Sequence, residues 1–183
     1  MKEGWERSDL FFHDILTEEA YLQKPIDLRH PFIFYYGHLT SFEKNQIFNH
    51  TMKRKSSSDD FDQLFERGID PLVDDPSKCH KHSADVNHSS WPAIKEIEKY
   101  QRNTRALIVD NLKNVFSNHK DIMAQKGRVF SECNEHTLMH LETLLYMFQV
   151  LDDVYKRKLP IEKINMNFQK VFFFFLVKHY NLN

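Results

Sequence analysis

Apolar residues recur along this chain with the spacing of helices. Leu10, Phe11 and Ile15 gather on one side of a first amphipathic stretch, about residues 6–22, which "KPIDLRHP" interrupts. Pro31 then stands where a first helical residue belongs, opening a second element over "PFIFYYGHLTSFEKNQIFNH" (31–50). Its Phe34, His38 and Phe42 share a face at i, i+4 spacing. A third helix is predicted from "SSWPAIKEIEKYQRNTRALIVDNLKNVF", with Ser90 as cap and Pro92 in the first turn. Ile94, Ile97, Gln101, Thr104, Ile108, Leu112 and Val115 trace its buried stripe. Gly127 separates it from a fourth helix, about 128–157. Val129, Cys133, His136, His140, Leu144, Met147 and Leu151 form one stripe of that helix. Four amphipathic helices joined by short turns and one long crossover predict an all-α four-helix bundle.

Two segments depart from the pattern. Residues 51–90 are rich in Ser, Asp, Pro and His and carry one short apolar insert, "FDQLFERGID". They read as a long loop bearing a short helix, a length that in a compact domain usually signals function or disorder. The bundle is expected over about 5–160. The stretch 161–183 is apolar without a clean period and is expected to be an atypical tail, in keeping with an incomplete chain or an added element.

Composition narrows the class. The apolar set makes up 41% and charged residues 28% of 183 residues, as in a soluble globular chain. A formal net charge of −1 supplies no basic field for nucleic acid. "VFFFFLV" (171–177) is far shorter than the roughly twenty residues of a spanning helix, so no membrane partner is expected. The two cysteines, Cys79 and Cys133, do not suggest a disulfide framework, and a reducing cytoplasmic compartment is the expectation. Four glycines in the whole chain favour long helices over a turn-rich fold.

The fourth stripe holds the chemistry. His136 and His140 stand roughly 40° apart around the helix axis, given roughly 100° per residue, so both rings can reach one point inside the bundle. The string reads H-x-x-x-H-x-E. Two residues turn a helix by roughly 200°, however, so Glu142 points away from His140 and suits an outer or structural role. His38, on the apolar face of the second helix, is the best third ligand. Three neutral nitrogens suit Fe(II), Zn, Ni or Cu, and spacing does not choose among them. A zinc-protease helix needs Glu directly after its first His, and Thr137 occupies that position. The plain alternative for each histidine is a packed core residue.

Other polar features are weaker. Arg102 and Arg105, one turn apart on the third helix, could clamp a substrate carboxylate or simply form a solvated basic face. Cys79, His80, His82 and His88 are spaced too tightly for a usual zinc finger and lie in the loop. Tyr35, Tyr36, Tyr100 and Tyr146 could offer phenols to a pocket or pack in the core.

"KPIDLRHPFIFYYGHLTSF", "LFERGIDPLVDDPSKCHKHS", "WPAIKEIEKYQ" and "NEHTLMHLETLLYMF" resemble, in this order, the DinB-like domain of ergothioneine-biosynthesis sulfoxide synthases of the fungal and eukaryotic type. The resemblance implies a non-haem Fe(II) protein that uses O₂ to join a cysteine thiol to the imidazole of hercynine, giving a sulfoxide. It implies iron ligands at His38, His136 and His140, with Glu142 filling the Glu that ends the family motif. An arginine pair on the third helix contacts the thiol substrate's carboxylates in relatives, and Arg102 and Arg105 have suitable spacing for that role. Family members continue into a domain of formylglycine-generating-enzyme type, which has no counterpart in these residues. The resemblance therefore implies a metal cap that is incomplete alone, with another chain as a conceivable source of the missing part. The sulfur donor, cysteine or γ-glutamylcysteine, stays open. Two other readings compete: a stand-alone DinB-like metal-dependent thiol transferase, and a non-catalytic interaction protein whose apolar tail docks a partner.

Overall fold

The computed structural model describes residues 1–54, 60–66 and 91–158, and these form an all-α fold without a strand among them. The Cys79, His80, His82 and His88 cluster, the proposed cap Ser90 and the 161–183 tail lie outside the described residues.

Helix α1, Lys2–Asp9, runs on through π-helical turns over Leu10–Ile15. The wider turn lets Phe11, Phe12, Ile15 and Leu16 all face inward, each no more than 1% exposed. The expected helix over 6–22 is therefore broken. Leu16 is extended, because the chain beyond the last helix pairs there. Thr17 N–H donates to the Tyr155 carbonyl at 3.0 Å and Arg157 N–H to the Ile15 carbonyl at 2.7 Å. A 3₁₀ turn over Glu18–Leu22 follows.

Helix α2 is Phe32–Lys44, extended by π-helical turns over Asn45–Thr51. Pro31 sits at its N-cap, one position before the expected place. The helix is buried nearly all round and packs against a short helix α3, Asp60–Phe65, and against α4, Ile94–Phe116, and α5, Arg128–Val150. It is thus the central rod of the bundle.

Helix α4 begins two residues after Pro92 rather than with Pro92 in its first turn. The Glu96 carboxylate accepts the Ala93 N–H at 2.9 Å and closes its first turn. Ile97, Gln101, Thr104, Ile108 and Val115 of the expected stripe are buried, joined by Tyr100 and Asn111. Helix α5 opens on Gly127, whose φ of 68° lies in the left-handed region. It stops at Val150, short of the expected 157. Leu151 turns extended and carries the chain back to pair with Leu16.

Candidate metal centre

Two helices bring the three histidines together. On α2, His38 lies between Phe34 and Phe42, with its ring stacked on Phe34 at 5.1 Å. On α5, the His136 ring lies flat on Phe42, 3.5 Å between centroids and 8° between planes. The His38 ring centre is 5.1 Å from that of His136 and 4.9 Å from that of His140. One ligand atom from each of the three lies within 4.8 Å of the others. The aromatic residues that make α2 apolar are thus also the walls that set the imidazole planes.

The hydrogen bonding of the three is unequal. His38 is buried, and its Nδ1 is 2.7 Å from the Phe65 carbonyl. A carbonyl only accepts, so Nδ1 carries the proton and Nε2 keeps its lone pair. His140 Nε2 is 3.1 Å from His136 Nε2, while Nδ1 of both rings is buried without a partner. Among the described residues the pair has no hydrogen-bond partner besides each other. Two imidazole nitrogens bound at about 2.1 Å and roughly 90° to one ion would sit about 3.0 Å apart. The donor set and spacing therefore fit a divalent first-row metal, with a backbone carbonyl orienting the first ligand.

Electrostatics keeps the rings neutral. Burial lowers the His136 pKa to about 2, helped by repulsion from His140 and His38. Burial lowers that of His140 to about 3, helped by His38 and by the positive charge of Arg29. His38 is lowered by burial and partly held back by its bond to Phe65. All three offer lone pairs rather than protons at neutral pH.

The short helix α3 builds this arrangement from outside. A Cβ on Gly37 would stand 2.5 Å from the Phe65 ring, so glycine in the G-H dipeptide of α2 makes room for α3. Asp62 fixes α3 there. Its carboxylate accepts the Tyr100 hydroxyl at 2.6 Å and pairs with Lys44 Nζ at 2.8 Å, and its backbone carbonyl accepts Ser41 Oγ at 3.1 Å. Neither Asp62 nor Lys44 stands out in the sequence pattern. The one local signal is a glycine inside an otherwise strong helix, which demands a packing reason.

The remaining sequence candidates fall elsewhere. Glu142 is exposed on α5, off the histidine face, as the helix geometry requires. Arg102 and Arg105 do not converge on the histidines. Arg102 is exposed and 3.8 Å from Glu98. Arg105 Nη1 donates to Asp9 at 2.7 Å, with its guanidinium 5.3 Å from the Trp5 ring centre, so its charge fastens α4 to α1. Among the tyrosines, Tyr35 comes nearest, 5.4 Å from the His140 ring. Tyr36 is fully buried and bonds His13 at 3.2 Å.

No family model matches the chain. Ergothioneine biosynthesis protein 1 of Neurospora crassa is 39% identical to it over 144 residues, covering 78% of this chain and 16% of that protein. Ergothioneine biosynthesis protein 1 of Schizosaccharomyces pombe is 36% identical over 126 residues, covering 67% of this chain and 15% of that protein. The chain thus spans a small part of the length of the curated relatives it matches.

Proposed function

We propose, from the premise that this chain is a homologue of a segment of fungal ergothioneine biosynthesis protein 1, that it acts in ergothioneine biosynthesis as a metal-binding domain. In this reading His38, His136 and His140 hold Fe(II) in a domain of DinB-like type. The reaction is that of a sulfoxide synthase, joining the thiol of cysteine or γ-glutamylcysteine to the imidazole of hercynine. Bound Fe(II) would supply the redox chemistry with O₂ that the bond formation and sulfur oxidation require. The walls that complete the substrate pocket are assigned to polypeptide outside these residues, and the setting is a reducing cytoplasm, in keeping with a free, buried Cys133. Among the described residues no helix is long and apolar enough to cross a membrane.

The observation that carries this reading is the convergence of three neutral imidazoles within 4.8 Å, one of them fixed by the Phe65 carbonyl. The residues have distinct tasks in it. His38 presents Nε2, because its other nitrogen is committed. Phe34 and Phe42 keep water from the rear of the rings. Glu142 stands beyond the ligands, exposed on α5. Anaerobic loading with Fe(II) and removal of free metal should leave one iron per chain, and His140→Ala should leave almost none. A wild-type chain that retains no metal, or a His140→Ala chain that retains as much as wild type, would sink the reading.

A further inference from the structure

The three imidazoles meet their aromatic neighbours in different ways. His38 lies over Phe34 with ring centres 5.1 Å apart and 16° between planes. Near-parallel rings at that separation are slipped past one another, an arrangement that two neutral π systems prefer. His140 meets Tyr35 at 5.4 Å and 52°, a tilted contact. His136 departs from both. Its ring centre is 3.5 Å from that of Phe42, with 8° between planes, so the two rings eclipse each other almost completely. Full face-to-face overlap sets the negative cloud of one ring against that of the other, and neutral pairs favour an offset or edge-on arrangement over it.

The outer bonding of His136 differs as well. His38 donates its Nδ1 proton to the Phe65 carbonyl at 2.7 Å, the kind of bond that raises the basicity of a metal-bound imidazole. A ligating histidine almost always has such a partner. The Nδ1 of His136 is buried without one. What His136 has in that place is the face of Phe42, a half-buried ring on α2 one turn beyond His38.

We infer that Phe42 is a positioning residue that tunes His136 through its π face, favouring this imidazole once a cation is bound to it. Metal binding draws electron density from an imidazole and spreads positive charge over the ring. The negative face of Phe42 then attracts the ring it repels in the neutral pair, as in a cation–π contact. The eclipsed stack is therefore better suited to the metal-bound imidazole than to the metal-free one, and the difference adds to metal affinity. This role rests on the metal reading above. It adds to that reading a residue that responds to bound charge without touching the ion.

The test withdraws electron density from the Phe42 ring with little change in its shape. Phenylalanines bearing one, two and three ring fluorines replace Phe42 in the full chain, and Zn(II) affinity is read by titration against a competing chelator. Affinity should fall with each added fluorine, about tenfold over the series, the order of a partly desolvated cation–π contact. The urea midpoint of the metal-free chain should hold steady or rise over the same series, because an electron-poor ring suits a neutral imidazole better. A ring that only packs would move both readings together. The same series at Phe34, where the stack is offset, should change affinity less than the series at Phe42. Equal affinity across the Phe42 series overturns the role and leaves the metal centre standing. So does an equal loss at Phe34, or a loss that follows the metal-free midpoint. A Phe42→Leu chain, with apolar bulk and no π face, should bind Zn(II) about tenfold more weakly. If it binds as tightly as wild type, the role is overturned whether or not the fluorinated chains fold. A wild-type chain that takes up no Zn(II) overturns both readings, and is recognised before any variant is compared.

Discussion

Asp62 and His136 both occupy the interior between α2 and its neighbours, yet their polar atoms are treated in opposite ways. Each carboxylate oxygen of Asp62 has a partner, Tyr100 on one side and Lys44 on the other, and Lys44 Nζ also lies 5.4 Å from the Tyr100 ring centre. His136 has a buried Nδ1 with no partner and an Nε2 that faces only another imidazole. The first cluster is closed and its bonding capacity is used up. The second is assembled with equal care, by stacking on Phe42 and convergence on His38, but its two α5 imidazoles bond only to each other. A satisfied buried network fixes a fold. An unsatisfied one nearer the surface, held rigid by its surroundings, is a site waiting for a ligand.

The two clusters should fail differently when cut. The largest effect should come from His136→Ala, which leaves two imidazoles. Metal affinity should fall by more than the roughly 100-fold seen when outer-shell partners are removed, while the helical circular dichroism of the metal-free chain is retained. Titration with a competing chelator measures the first, and a variant that binds as tightly as wild type would remove His136 from the site. Asp62→Ala should do the reverse. It takes a buried ion-pair partner from Lys44 and an acceptor from Tyr100, and urea unfolding should show a loss of about 3–5 kcal/mol. An unchanged midpoint would mean that the cluster is not closed in solution.

Acid separates the histidines from another buried polar group, Glu43 on α2. Burial raises the Glu43 carboxyl to about 7, against hydrogen bonds from Trp5 Nε1 to both its oxygens and the nearby charge of Arg105. Its folded pKa is above its unfolded value. The folded chain therefore holds a proton that the unfolded chain has lost, and this contribution fades as pH rises from about 4.5 through 7. The histidines run the other way. Their folded pKa values are lowered, so below about 6.5 the unfolded chain gains protons that the folded one refuses, and stability falls with acid. Glu43→Gln should remove the first slope alone. Compared with wild type, the variant should gain up to about 3 kcal/mol between pH 5 and 8 in denaturant titrations. A constant difference across that range would show that Glu43 does not titrate there.

The smallest effect tests the link between the clusters. Gly37→Ala puts a methyl group where the Phe65 ring lies, so α3 must shift and carry the Phe65 carbonyl from His38. Metal affinity should drop about tenfold with the three ligands intact, at the lower end for an outer-shell partner. Equal affinity would mean that His38 is oriented by its stacking on Phe34 alone.

Much of the bundle was legible because periodicity reports which residues face inward. Val129, Cys133, Leu144, Met147 and Leu151 are buried as their spacing implies, and His38, His136 and His140 meet where their faces point. Periodicity is silent on what an inward face meets. The end of α5 was overestimated because the pairing of Leu16 with Lys156 depends on two distant segments, neither with a strand pattern. Arg105 looked like a free cation because Asp9, its partner, is on another helix. Asp62 and Glu43 drew no notice in the sequence for the same reason. The Phe65 carbonyl left no trace in sequence at all, since every residue has one.

That last fact bears on how the site withstands mutation. The group that sets the His38 tautomer belongs to the main chain, so exchange of the residue 65 side chain cannot delete it. Variation there spoils instead the packing of the ring against Gly37, Phe61 and Trp91. The acceptor is lost only if the peptide moves, and its position is guarded by Asp62 three residues earlier. Genetic risk to the proton on His38 is thereby transferred from the residue that makes the bond to one that never touches the imidazole.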